Sequence, residues 1–141
     1  MDLGRVEDRF FEQVLGEDAR AVEDAVIAGV RVGEASLALV TERLATLFGI
    51  SKGDALTILG VSRTKLSRNP AMDVDLLDRV GSALKLHARV AAMIGSDRAA
   101  HWLAEPNRHL SDKRPLDLMT THLGRDRVEG LVTALEDGTF L

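Results

Sequence analysis

Apolar residues recur along this chain at the three- and four-residue steps that line one face of a helix. Leu37, Val40, Leu44 and Leu47 follow that spacing, as do Val128, Leu131, Val132 and Leu135. The longest run is Leu77, Val80, Leu84, His87, Ala91 and Ile94, which predicts a heptad-like seam on a helix of about 22 residues, roughly 33 Å long. Nearer the start, Val6, Phe10, Phe11, Val14 and Leu15 predict a helix before Gly16, and Val22, Ala25 and Val26 another before Gly29. Only Gly29-Val30-Arg31-Val32-Gly33 alternates, and its flanking glycines make it a loop or short extended link. With four Phe and one Trp, the chain is poor in the aromatics that favour strands, so the fold class is all-α.

The punctuation agrees. Ser51-Lys52-Gly53-Asp54 has the form of a capping box with Asp in the Glu position. Gly60 ends that helix and Val61 supplies the apolar residue of a Schellman stop. Ser62 caps a second short helix, which Asn69-Pro70 closes. Asp73 or Asp75 opens the long helix, Gly95 ends it, and Ser96 caps the next, which carries Trp102 and stops before Pro106. Ser111 or Asp112 precedes a helix with Pro115 in its first turn, and Gly124 ends it. A last helix runs to about Asp137, with Gly138 as its stop.

Composition narrows the function classes. The 141 residues are 45% hydrophobic and 28% charged, a globular balance. With no cysteine, disulfides, thiolate nucleophiles and Cys-ligated metals are excluded. The acidic start MDLGRVEDRF does not read as a signal peptide, and apolar runs of about four fall far short of a membrane span, so the expected location is cytoplasmic. The four histidines, His87, His101, His109 and His122, show no metal-ligand spacing, and His87 on the seam reads as a buried, hydrogen-bonded or interface residue. No nucleophile elbow or phosphate-binding loop is present. The chain reads as a binding protein rather than an enzyme, with no cofactor and no metal.

Charge is unevenly spread. The net charge is −4, yet residues 51–95 carry seven Lys/Arg against four Asp/Glu, while the flanking thirds are acidic. A local basic patch in an acidic chain is the footprint of a site for DNA or an acidic partner, or else a solvated helix face. The patch coincides with SKGDALTILGVSRTKLSRN at 51–69: helix, glycine turn, apolar residue, cap, second helix. Lys52, Ser62, Arg63, Thr64, Lys65, Ser67, Arg68 and Asn69 are the candidate DNA-contacting residues, because Arg and Lys read guanine or grip phosphate, Asn pairs with adenine, and Ser and Thr donate to the backbone. An ordinary helical hairpin is the alternative. The stretch from Leu59-Gly60-Val61-Ser62-Arg63 through Leu66-Ser67-Arg68 resembles the Cro/Xre class of helix-turn-helix proteins, although Leu56 stands where that class often has alanine.

The C-terminal segment is more specific. Trp102-Leu103, Pro106-Asn107, Leu110, Pro115-Leu116-Asp117-Leu118, Thr120 or Thr121, Gly124, then Val128, Leu131, Leu135 and Gly138 follow in order. Residues 99–141 thereby resemble the toxin-binding domain of the Xre/MbcA/ParS antitoxins, with Ser111-Asp112-Lys113-Arg114 where that family often has glycine. The resemblance implies a Cro-like helix-turn-helix bundle followed by a small helical module. It implies an antitoxin that covers the NAD pocket of a RES-type toxin and represses its own operon. The candidate toxin-binding residues are Trp102, Asn107, Arg108, Lys113, Arg114, Glu136, Asp137, Gly138, Thr139, Phe140 and Leu141. A pocket for a pyrophosphate is cationic, and Glu136, Asp137 and the Leu141 carboxylate would suit it, with Phe140 as an apolar anchor; a frayed tail is the alternative. Trp102 is either a partner-facing anchor or core.

The expected organisation is residues 1–33 as an acidic helical segment, 34–95 as the helix-turn-helix region with the long helix, and 96–141 as the toxin-binding domain. The seam of the long helix is either core or a homodimer contact, and paired operator half-sites favour a homodimer. The rival reading is a stand-alone dimeric helix-turn-helix regulator without a toxin partner.

Overall fold

A computed structural model describes residues 2–30 and 35–138. Among the described residues nine α-helices run in order: α1 Leu3–Leu15, α2 Ala19–Ala28, α3 Leu37–Phe48, α4 Lys52–Leu59, α5 Arg63–Ser67, α6 Val74–Ile94, α7 Ser96–Ala104, α8 Pro115–Leu118 and α9 His122–Glu136. A 3₁₀ turn, Arg108–Leu110, precedes α8. Among the described residues there is no strand, only isolated bridges at Ser36–Ala71 and Asn107–Lys113. The predicted all-α class holds. The alternating link at 29–33 falls mostly outside the described residues.

Side chains cap most of these helices at the N-terminus. Asp2, Asp18, Ser36, Ser51, Ser62, Asp73 and Thr121 each accept a backbone N–H from the first turn of α1, α2, α3, α4, α5, α6 and α9. Each such cap contributes about 1 kcal/mol. Ser96 is not a cap, contrary to expectation. It is the first residue of α7, whose cap position belongs to Gly95, with no side-chain bond.

The long helix α6 organises the rest. α1, α2, α4, α7 and α9 all pack on it. Leu77, Val80, Leu84, His87 and Ala91 are buried, and so is a second row, Leu76, Ala83, Leu86 and Val90. A helix buried on two sides has no free seam to offer a second copy, so the predicted seam is monomer core, with only Ile94 left exposed. One continuous cluster runs from Val6 and Phe10 through Leu84 to Val128 and Val132.

His87 lies inside this core at 0% exposure. Its ring stacks on Phe10 at 4.9 Å between centroids and tilts against Phe48 at 4.3 Å. It is buried as expected but not hydrogen-bonded: neither ring nitrogen has a partner among the described residues. An unmet buried donor or acceptor costs about 1–3 kcal/mol.

Two glycines of α9 separate two physical roles. The sequence made Gly124 the end of the preceding helix. Instead α8 stops at Leu118, capped by Met119, and Gly124 sits inside the first turn of α9. A Cβ on Gly124 would lie 1.9 Å from the Leu118 carbonyl oxygen, so α9 presses backbone to backbone against α8. Gly130, six residues on, would meet nothing within 4 Å. Pro115 stands in the first turn of α8 as expected, after Ser111 and Asp112, which form a left-handed turn at φ 56° and 61°, with Arg114 as the N-cap residue.

Burial holds the His87 pKa at about 4, against an ordinary 6.5. Between those values the unfolded chain binds a proton that the folded chain rejects, so stability falls with falling pH, by about 1.4 kcal/mol per unit. His87→Leu should raise stability by about 1–2 kcal/mol at pH 7 and flatten this dependence, read from urea midpoints at pH 7 and pH 5; an unchanged slope would count against the buried neutral imidazole. Gly124→Ala should cost about 3 kcal/mol or more, because backbone must move. Gly130→Ala should stabilise by about 0.5–1 kcal/mol through helix propensity, measured in the same unfolding series.

Candidate functional site

The basic segment folds as expected locally. Gly60 takes φ +64° at the end of α4, and Val61 N–H reaches back to the Leu56 carbonyl at 3.0 Å, the Schellman closure. Ser62 Oγ then accepts from Lys65 N–H and starts α5. Ala55 and Leu56 are both buried where the two helices meet their neighbours. Arg63, Thr64, Lys65, Ser67 and Arg68 are all exposed on α5, which is only five residues long. Arg63, Lys65 and Arg68 form no ion pair among the described residues, so their charge is uncommitted.

The other candidates of this group are engaged inside the molecule. Lys52 lies 3.7 Å from Glu42, both well exposed. Ser62 is occupied as a cap, and Ser67 Oγ donates to the Thr64 carbonyl. Asn69 has φ +44°, and its Oδ1 accepts from Ala38 N–H at 3.0 Å, while the Pro70 carbonyl accepts from Leu37 N–H. Asn69 therefore ties the end of α5 to the start of α3.

The C-terminal candidates divide in the same way. Arg114 is not free. It donates to Asp117 at 2.7 and 2.9 Å and to Asp54 at 3.0 and 3.2 Å. The expected capping box at 51–54 is thus only half made: Ser51 caps α4, but the Asp54 carboxylate turns to Arg114, sixty residues on. Asn107 Oδ1 accepts from His109 N–H, and its carbonyl accepts from Leu110 and Asp112, so it shapes the loop before α8. Glu136 pairs with Arg89 of α6 at 2.6 Å, and Arg89 also donates to Thr133. Trp102 is half-buried and lines an apolar cleft with Val90, Met93, Ile94 and Leu135. Arg108, Lys113, Asp137 and Gly138 are exposed. Thr139, Phe140 and Leu141 lie outside the described residues.

These pairs set the local electrostatics. The guanidinium of Arg114 holds the Asp117 carboxyl below its usual range, and Arg89 does the same to Glu136. Both ion pairs contribute above the ordinary carboxylate range and are lost as acid protonates them. Among the described residues no cluster of three or more metal-ligating side chains occurs, and no helix is long and apolar enough to cross a membrane.

The two regions meet along α4. Arg114 grips its first turn through Asp54, Thr120 Oγ1 donates to the Thr57 carbonyl in its middle, and Arg79 of α6 donates to the Leu59 carbonyl at its end, 2.8 Å away. None of these three contacts is visible as a sequence pattern. Leu123 also escaped the reading of the sequence. It is 80% exposed at the start of α9, and the available signal was its place off the Val128–Leu131–Val132–Leu135 stripe.

Comparison with known proteins assigns this module. Residues 89–138 match the model of the antitoxin Xre/MbcA/ParS C-terminal toxin-binding domain. The match begins at Arg89 on α6, the residue that closes the module onto Glu136. Over 86 residues, 60% of the chain, it is 26% identical to the Antitoxin Xre of Pseudomonas putida strain KT2440. The aligned stretch spans about half of that relative, 54% of its length. Residues 89–138 are thus similar to the C-terminal toxin-binding domain of the Xre/MbcA/ParS antitoxins, and the chain as a whole to part of one such antitoxin.

Proposed function

We propose that this chain is the antitoxin of a type II toxin–antitoxin pair, holding a RES-type, NAD-degrading toxin inactive by binding over its active site. The observation that carries the reading is the toxin-binding domain match over residues 89–138, a segment that folds here as a braced helical module. Trp102, Arg108, Lys113 and Asp137 offer side chains to such a partner, and the residues after Gly138 would approach the toxin's pocket.

The second half of the proposal is autorepression. The α4–α5 segment acts as a helix-turn-helix, with Arg63, Thr64, Lys65 and Arg68 on the operator and Lys52, Ser67 and Asn69 at its edge. The exposed, unpaired cations of α5 support this. Two copies of the chain would serve two half-sites. The stand-alone regulator differs from this reading only in lacking a toxin partner.

Two measurements test the proposal. Producing the protein encoded beside this gene alone should lower cellular NAD and arrest growth, and co-production of this chain should restore both; indifference of growth and NAD to the pair would leave only the regulator. Removing residues 138–141 should weaken the rescue. Separately, Arg63→Ala or Arg68→Ala should weaken operator binding by about 1–3 kcal/mol and make its salt dependence shallower by about one unit of log–log slope per lost phosphate contact. Binding isotherms at several salt concentrations would check this.

A further inference from the structure

Leu123 is 80% exposed in a module whose other exposed large apolar residues, Met93 and Ile94, are below 40%. It stands on α9 between two clefts that share it with Leu110 and Arg127. Among the described residues the first cleft, about 370 Å³, takes its charge from Lys113 and Arg127, with no carboxylate in its lining. The second, about 670 Å³, runs past His109 and Gly130 and carries Asp126, which lies 3.4 Å from His122, beside Arg127. Neither Lys113 nor Arg127 is salt-bridged among the described residues.

Leu123, Arg127 and Gly130 are spaced four and three apart, so they form one stripe of α9. Gly130 is the second clue. A glycine inside a helix costs about 1 kcal/mol against alanine, and among the described residues nothing approaches it closely enough to offset that cost. Gly124 on the same helix is offset by its contact with Leu118; Gly130 is open among the described residues and leaves a bare patch of helix backbone on this face.

We propose that the Leu123–Arg127–Gly130 stripe, with Lys113 beside it, is the surface on which the toxin docks. Leu123 enters an apolar pocket of the toxin, Lys113 and Arg127 receive a toxin carboxylate, and the missing side chain at 130 lets the toxin's surface close on the helix. A second copy of this chain is the alternative occupant, told apart by the mass of the free protein. The inference rests on the toxin-binding reading of residues 89–138 and names the face that does the binding.

The test uses the full chain and the protein encoded beside its gene, the latter carrying an inactivating substitution so that it can be produced. Titration calorimetry should show Leu123→Asp weakening the complex at least 100-fold and Arg127→Glu about 10-fold. Ile27→Asp, at an equally exposed apolar residue on α2, should leave affinity unchanged. Because Leu123 and Arg127 are exposed, the thermal midpoints of the free variants should match the wild type, which separates docking from folding. Wild-type affinity in both stripe variants would overturn this inference while leaving the antitoxin reading intact. A wild-type chain that fails to bind at all would overturn the antitoxin reading, and this one with it. A change in the light-scattering mass of free Leu123→Asp, with toxin affinity unaltered, would reassign the face to contact between copies and overturn the proposal.

Discussion

Burial of α6 along two rows of side chains is the interaction on which the remaining helices depend. His87 stacks between Phe10 of α1 and Phe48 of α3, Leu77 lines a cleft with Phe11 and Val22, and Val90 lines another with Trp102 and Leu135 of the C-terminal half. Deleting one large aliphatic side chain from such a core typically costs about 2–5 kcal/mol, a large part of a small protein's stability. The helix therefore fixes both candidate regions by one rigid element, and its last turns already lie in the segment that resembles the toxin-binding domain.

α4 is where the two regions share a wall. It is gripped at its start by Arg114, at its middle by Thr120 and at its end by Arg79. Each grip uses a different resource of a helix: the carboxylate of its first turn, an interior carbonyl, and the unpaired carbonyls where the dipole is negative. The turn into α5 is fixed by the same contacts, since a Cβ on Gly60 would lie 2.8 Å from the Arg79 guanidinium and 3.1 Å from the Thr120 methyl. The orientation of α5 is thus set partly by residues of the C-terminal half.

Much of this was legible in the sequence, for local reasons. Helical periodicity located the long helix to within a residue or so, and Ser51, Gly60, Ser62 and Asp73 behaved as caps and stops because those bonds close within one turn. What escaped was nonlocal. Asp54 matched a capping box by spacing, but Arg114 offered its carboxylate a stronger partner from sixty residues away. Gly124 looked like a helix end because a glycine that permits a left-handed turn and one that permits close packing are the same letter. Asn69 also ties α5 to α3 through its Oδ1, a bond to a residue 31 positions away. Exposed Leu123 was invisible to a reading that assigns leucine to cores.

The partnership of α1 with α6 also has a consequence in time. Phe10 and Phe11 are buried only when α6 closes over them, and α6 leaves the ribosome more than sixty residues later. At about 5–20 residues per second, the first helix waits several seconds with its aromatic face uncovered. Premature termination before residue 74 leaves that face uncovered for good, an opening for chaperones and proteases. Only a chain translated past α6 can hide its own beginning, so the abundance of folded protein answers to the completeness of its synthesis.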